Sequence, residues 1–173
     1  MIADDVHKFM IMAVKDKTFI ENVKQMTPKY RTFAEDQLKK INEKEDFRKI
    51  EYLKWIVEQS KSNFYLGIRG SEITLIKRNF KGALTIGYNT PRDDLKHFYN
   101  GYDYIIELLN IHSFKKGEGY KMMKLLIELS KKAQSPISLY TETEVNVKYF
   151  ERYGFVNIGR MGINNEYLMI LNK

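Results

Sequence analysis

The sequence predicts a mixed α+β fold, in which a largely antiparallel sheet with flanking helices follows a helical N-terminal portion. Apolar residues recur at helical spacing through the first sixty positions, and from Asn63 onward they fall in short runs separated by glycine turns. A glycine loop between an apolar strand and an amphipathic helix adds a crossover. We therefore divide the 173 residues into a helical portion at 1–60, packed on the same domain, and a core at 61–173.

The first sixty residues predict a series of helices. Helical spacing of apolar residues is clear at 6–13 and again at 19–23. Thr27-Pro28 is typical of a helix start, because a capping hydroxyl precedes a proline at the first helical position. The apolar face of that helix extends to Ile41, and another helix begins at Phe47 and ends near Ser60.

The remaining chain predicts strands joined by short turns. Strands are expected at 64–68, 73–76 and 83–86, with a hairpin turn across 69–72. Thr90-Pro91 interrupts this pattern, and a short helix is expected at 95–99. Then come a long strand at 103–112, a helix from about Gly117 to Ala133 that Ser135-Pro136 stops, and strands at 137–141, 156–159 and 167–171.

The loop between the long strand and its helix has the features of an anion site. Gly117 and Gly119 carry no Cβ, so a phosphate can approach the backbone closely there. The helix that follows directs free N–H groups and the positive end of its dipole at the same place. An ordinary strand-to-helix turn with surface lysines is the alternative interpretation.

A second cluster of residues, further along the chain, narrows the choice of anion that the glycine loop would bind. Residues 146–155 read Asn-Val-Lys-Tyr-Phe-Glu-Arg-Tyr-Gly-Phe and follow a strand and a short helix start. This ending, at this distance from a GxG loop, resembles the GCN5-related N-acetyltransferase (GNAT) family over roughly the C-terminal half of the chain. The resemblance implies an acetyl-CoA-dependent N-acyltransferase, in which acetyl-CoA docks between the strands at 103–112 and 137–141 and a primary amine attacks the thioester directly.

The resemblance also implies roles for particular residues. Backbone groups near Leu109 and Ile111 would polarise the thioester carbonyl, and Asn146 would hold the pantetheine arm. The pyrophosphate would lie on the loop formed by Lys115, Lys116, Gly117, Glu118, Gly119 and Tyr120. Two positions depart from the family pattern: Phe114 stands where the family has Gln or Arg, and Phe150, beside the expected cofactor, stands where it has the Tyr that protonates the CoA thiolate.

The candidate catalytic residues are Glu107 and Tyr149. Glu107 lies in the middle of an apolar strand, where the family often places the base for the acceptor amine; a residue on a wet sheet face is the alternative. Because Phe150 has no proton to give, either Tyr149, Tyr153 or solvent would protonate the thiolate. His112 is a further candidate base, or a loop-capping residue.

The composition and charge of the chain limit the kinds of ligand that it can be expected to bind. The chain carries 29 Lys/Arg and 22 Asp/Glu, and residues 61–173 hold nearly all of the excess. A basic core fits a nucleotide-bearing anion such as CoA; nucleic acid is the less favoured partner, since charge alone supports it. With no Cys and three separated His, we expect no metal site. We expect no signal peptide or membrane span and a cytoplasmic location, and the oligomeric state stays open, with a homodimer among the alternatives.

A second function class fits the same residues. A degenerate acetyltransferase-like fold that binds CoA or a macromolecular partner without efficient turnover would explain both Phe114 and Phe150. The sequence does not identify the acceptor amine in either case.

Overall fold

The computed structural model describes residues 2–41 and 47–172, with side chains from Val6 onward. Five helices and seven strands follow one another along the chain, with a 3₁₀ helix at Asp93–Tyr99 between β3 and β4: α1 (Ile2–Ala13), α2 (Lys17–Lys40), α3 (Phe47–Ser62), β1 (Phe64–Arg69), β2 (Glu72–Lys77), β3 (Gly82–Asn89), β4 (Ile105–Ser113), α4 (Glu118–Ala133), β5 (Ile137–Thr141), α5 (Glu144–Glu151), β6 (Val156–Arg160) and β7 (Tyr167–Leu171).

The strands form one mixed sheet in the order β1-β2-β3-β4-β5-β7-β6. Every neighbouring pair is antiparallel except β4 and β5, which α4 joins as a crossover. The hairpin at 69–72 is present, with Arg69 opposite Glu72 and Gly70 at φ +61°. The predicted α+β class, with its largely antiparallel sheet and helical N-terminal portion, is confirmed.

The two faces of the sheet are covered differently. Alternate strand residues such as Leu75, Ile106 and Leu139 share one buried cluster with side chains of α3, α4 and α5. Other strand residues, such as Ile105 and Leu168, belong to a smaller cluster with the 3₁₀ helix. We call the first face the helix face, and the second the opposite face.

The predicted helix start at Thr27-Pro28 is wrong. Helix α2 begins instead after Asp16, whose carboxylate accepts a hydrogen bond from the Phe19 N–H at 2.8 Å, and it continues through Pro28. The Thr27 hydroxyl donates to the Val23 carbonyl at 2.8 Å and accepts from the Leu66 N–H of β1 at 3.0 Å. Thr27 therefore ties the helix to the edge of the sheet, and packing offsets the backbone hydrogen bond that Pro28 cannot make.

None of the helices in the described part of the chain is both long and apolar enough to cross a membrane.

Candidate active site

Strand β4 contains a β-bulge at Leu109. In the register with β3, Ile86 lies opposite Leu108 and Thr85 lies opposite Asn110, so Leu109 is an extra residue without a partner. The bulge reverses the alternation of the strand. Leu108 before it and Ile111 after it both pack toward the helix face, although they are three residues apart, and His112 turns to the opposite face.

Strands β4 and β5 separate at the same place. Their parallel pairing covers only three residue pairs and ends with Leu108 opposite Leu139. Beyond it, β4 continues to Ser113 along β3, while β5 continues to Thr141 along β7. The two strands therefore leave an opening through the sheet, between Leu109 and Tyr140.

A cleft of about 410 Å³ adjoins this opening on the helix face, between the start of α4 and α5. Its lining includes Tyr149 together with six of the residues predicted to bind the cofactor: Ile111, Gly117, Gly119, Tyr120, Asn146 and Phe150. The structure thus brings the glycine loop and the second sequence cluster to one cavity.

The two glycines of the loop serve different purposes. Gly117, at φ +88°, precedes α4 as its N-cap, and a Cβ there would meet open space, so its backbone conformation is what favours glycine. Gly119 lies within the first turn of α4, where any residue can adopt the backbone conformation, but a Cβ there would lie 3.1 Å from the Tyr149 hydroxyl. Limited space beside Tyr149 is therefore what favours glycine at position 119.

Ser113 was not among the predicted site residues, yet it lines the cleft. Its hydroxyl accepts from the Gly119 N–H at 3.2 Å and donates to the Lys115 carbonyl at 2.8 Å. Gly117 has no side chain to cap α4, and a hydroxyl at the end of the preceding strand takes over that role. The polar residue directly before a glycine loop was the available signal.

The Tyr149 hydroxyl points at the start of α4. It accepts a hydrogen bond from the Tyr153 hydroxyl at 3.1 Å, two residues beyond the end of α5. Burial raises the pKa of Tyr149 above its ordinary value. Phe150 is buried beside it and makes edge contacts with Tyr149 and Phe155, and it lines both the cleft and the opening.

The charged residues of the loop lie at the margin of the cleft. The Glu118 carboxylate is buried against Lys77 of β2 and Lys121, and the hydrogen bond from Lys77 lowers the pKa of Glu118. The carboxylate of Glu118 is thus already paired, and its backbone N–H donates to the Lys115 carbonyl at 3.1 Å. Lys115 and Lys116 are exposed on the turn. Phe114 packs its ring against His7 and His112.

A second cavity, of about 600 Å³, reaches the opening from the opposite face. We call it the groove. It shares Ile111, Asn146 and Phe150 with the cleft, so the two cavities adjoin one another at the opening. Its further walls come from α1, the bulge, β5 and the β6–β7 turn: Val6, His7, Leu108, Leu109, Asn110, His112, Leu139, Tyr140, Thr141, Glu142, Thr143, Asn164 and Glu166.

The strand order, the separated parallel pair and the glycine loop at the opening together make up the arrangement that the sequence resemblance implies. The chain has a GNAT-like fold. No protein-family model matches it, and no curated protein matches it.

Solved structures with a similar fold include a GNAT-family acetyltransferase from Listeria monocytogenes 4b F2365 (19% identity, 68% of this chain and 69% of that one, TM-score 0.46). An acyl-CoA N-acyltransferase from Pseudomonas aeruginosa is 17% identical over 77% of this chain and 94% of that one, with a TM-score of 0.42. Arabidopsis thaliana Naa50, in complex with the bisubstrate analogue CoA-Ac-MVNAL, is 14% identical over 59% and 72%, also at 0.42. At these values no residue's role follows from the likeness.

Glu107 lies two residues before the bulge of this GNAT-like sheet. It alternates with Ile106 and Leu108, which face the helices, so its half-buried side chain is on the opposite face. The Asn89 amide donates to its carboxylate at 2.7 Å. Glu107 is not part of the lining of either cavity, and it approaches the groove from the 3₁₀-helix side, near Tyr140.

The imidazoles of His7 and His112 join α1 to β4. Their Nδ1 atoms are 2.9 Å apart, so one ring donates to the other, and both border the groove. Burial, followed by the charge of His7, lowers the pKa of His112. Within the described residues, no group of three or more His, Cys, Asp or Glu is arranged to hold a metal ion.

Proposed function

We propose that this protein is an N-acetyltransferase that transfers the acetyl group of acetyl-CoA to a primary amine by direct attack. The observation that carries the proposal is the passage through the sheet at the Leu109 bulge. It connects an anion-binding helix start on one face with an open groove on the other. A thioester threaded through the opening would present its carbonyl to an amine that arrives from the groove.

The cleft suits a pyrophosphate with an attached arm. The start of α4 offers the positive end of its dipole, and Gly119 has no side chain in the way. A phosphate there would replace the Lys115 carbonyl and the Ser113 hydroxyl as acceptors of the Glu118 and Gly119 N–H groups. The hydroxyls of Ser113, Tyr149 and Tyr153 line the same cavity. Those of Ser113 and Tyr153 already donate to the Lys115 carbonyl and to Tyr149, so Tyr149 is the one of the three whose proton can go to a phosphate oxygen. Asn146, which borders both cavities, is placed to bind the pantetheine amides.

The unpaired edge of β4 suits the thioester. Leu109 has no partner in β3, and the pairing of β4 with β5 ends where Leu108 lies opposite Leu139. Backbone N–H groups of β4 near Leu109 and Ile111 therefore face the opening. Such groups would donate to the thioester oxygen as negative charge develops on it. No covalent enzyme intermediate is needed, which agrees with a chain that has no Cys.

In the reaction, the lone pair of an uncharged amine forms a bond to the thioester carbon, the carbon–sulfur bond breaks, and CoA leaves as a thiolate. The amine nitrogen loses one proton, which we assign to Glu107 through water, because its half-buried carboxylate is on the groove side and Asn89 holds it in place. Tyr149 is the candidate acid, but its hydroxyl is directed at α4. A thiolate with a pKa of about 8–9 needs little help near neutral pH.

Phe150 supports the alternative of a catalytically weak protein that binds CoA or a macromolecular partner. It borders both cavities at the opening, and its ring carries no proton donor. Phe114 likewise replaces a polar residue and packs against two imidazoles. A protein of this kind would still bind CoA in the cleft but would transfer the acetyl group inefficiently.

Two measurements on the wild-type chain separate these alternatives. Thermal denaturation with acetyl-CoA, with CoA and with ATP tests the cleft, and free-thiol release across a panel of primary amines tests turnover. We expect stabilisation by both CoA compounds and thiol release with some amines. Stabilisation without thiol release would favour the binder. No stabilisation by either CoA compound would contradict the acetyltransferase and the CoA binder, and would leave a macromolecular partner as the alternative.

A further inference from the structure

The groove carries charge opposite to that of the whole protein. The chain has a net charge of +7, yet the charged groups in the groove lining, among the described residues, are the carboxylates of Glu142 and Glu166. No Lys or Arg of the described residues belongs to that lining. A groove that excludes the common cations of a basic surface favours a positively charged occupant.

A cation close to this groove is already neutralised. Arg92 binds the Asp94 carboxylate through two nitrogens, at 3.1 and 2.6 Å, and donates to the Met161 carbonyl at 3.0 Å. Asp94 therefore offsets the charge that Arg92 brings toward Tyr140. A second cation, Arg160, donates to the Asn165 carbonyl and the Tyr167 hydroxyl, and it is not part of the groove lining.

The two carboxylates lie on different elements of the wall. Glu142 follows β5 directly and is exposed, while the half-buried Glu166 belongs to the β6–β7 turn, where it accepts from the Asn164 N–H at 2.9 Å. That hydrogen bond fixes Glu166 in the wall. Apolar side chains, among them Leu109 and Leu139, belong to the same lining as the two carboxylates.

We infer that the acceptor is a small di- or polyamine, whose uncharged end reaches the opening while a distal ammonium group is held by Glu142 and Glu166. This inference rests on the proposed function, because the groove is the route by which an amine reaches the thioester. The aliphatic chain between two nitrogens can pack against the apolar side chains of a mixed lining, and its distal ammonium group is opposite in charge to the two carboxylates. The attacking nitrogen forms the amide bond and releases its proton, and the distal ammonium group is unchanged.

Three amines of equal length isolate the distal charge: 1,5-diaminopentane, 1-aminopentane and 5-aminopentanoate. Their equilibrium binding to the full chain is measured by calorimetry at neutral pH and low salt. We expect the diamine to bind about ten-fold more tightly than the monoamine, as two partly exposed ion pairs allow. The aminopentanoate should bind most weakly, and a high salt concentration should reduce the preference.

Variants then locate the charge that is recognised. Glu142→Gln should weaken diamine binding about three-fold or more, the loss of one partly exposed ion pair, and leave the monoamine unaffected. Glu58→Gln, the same change on α3 beside Lys132 and away from the groove, should alter neither. Equal binding of the three amines, no binding of any, or an unchanged preference in Glu142→Gln would each overturn the inference.

The outcome is separable from that of the proposed function. If acetyl-CoA binds and thiol is released equally with all three amines, the proposed function stands and the polyamine inference fails. If the diamine is preferred while acetyl-CoA does not bind, the groove is as inferred and the proposed function fails.

Discussion

The two ends of the passage between β4 and β5 have opposite chemical character. The cleft on the helix face is lined by two glycines, hydroxyl groups and the start of a helix, all of which suit an anion. The groove on the opposite face is lined by two carboxylates and two imidazoles among apolar side chains. The bulge at Leu109 separates these environments.

This difference shows how one strand can serve two substrates. The extra residue in β4 turns Ile111 toward the cleft and His112 toward the groove, so neighbouring residues contribute to different environments. An anionic cofactor and an amine can thus approach one point from opposite faces. Variants at each end test them separately, from the largest expected effect to the smallest.

The largest effect is expected at the anion end. In Gly119→Leu, the new side chain would meet the Tyr149 hydroxyl and fill the space through which a phosphate group would reach the backbone. We expect acetyl-CoA affinity to fall at least about a hundred-fold, since helix-start contacts and backbone access are lost together. Calorimetry measures the affinity, and circular dichroism checks the fold.

Gly67→Ala is the matched control. Gly67 lies in β1, far from the cleft in the sheet order, and its new Cβ would meet Thr74 at an ordinary 3.7 Å. It should bind acetyl-CoA like the wild type. Unchanged affinity in a folded Gly119→Leu variant would remove the glycine loop from the binding site.

The next largest effect is expected on turnover, from a change on the groove side of the sheet. Glu107→Gln keeps the size of the side chain and an oxygen that can accept from Asn89, but it cannot take a proton. We expect turnover to fall about a hundred-fold, in the range for a general base. Acetyl-CoA affinity should be unchanged, and Glu72→Gln, on the exposed start of β2, should keep full turnover. A fully active Glu107→Gln variant would make Glu107 a structural residue.

The two ends also differ in how well the sequence predicts them. Gly117 and Gly119 are local signals, because they lie two positions apart between a strand and a helix, and the nearby motif that contains Asn146 and Phe150 supports their interpretation as an anion site. The groove has no such motif. His7, Glu142 and Glu166 are far apart in the sequence, and only the β-bulge and the β6–β7 turn bring them to one wall.

The errors in the fold have equally local causes. Thr27-Pro28 has the pattern of a helix start, but the Thr27 hydroxyl is used by β1, which lies 39 positions further along the chain. Strand limits were close, because glycine turns such as Gly70 fix them. The bulge was not predicted, since a single extra residue leaves no mark in an apolar run such as 105–111.

A smaller effect is expected from the aromatic residues of α5. Tyr149→Phe removes a hydroxyl directed at α4, so we expect turnover to fall less than about ten-fold, and Phe150→Tyr should be equal to the wild type or faster. Thiol release at saturating acetyl-CoA measures both. A loss of about a hundred-fold in Tyr149→Phe with unchanged cofactor affinity would identify Tyr149 as the proton donor.

The smallest effect concerns the imidazole pair at the groove end. Because burial lowers the pKa of His112, the unfolded chain binds a proton more readily than the folded one, and the free energy of unfolding falls as the pH drops below about 6.5. Between about pH 7.5 and 5.5, the melting temperature of His112→Gln should fall a few degrees less than that of the wild type. His97→Gln, at an exposed position, should follow the wild type, and identical slopes for His112→Gln and the wild type would contradict this assignment.

Hydrogen–deuterium exchange of the wild-type chain with and without acetyl-CoA tests the central claim most directly, because it reports where the thioester lies. We predict slower amide exchange in two segments, 109–120 and 143–153, which border the cleft and the opening, and unchanged exchange in α2. Protection confined to other elements, or no protection at saturating acetyl-CoA, would contradict the account.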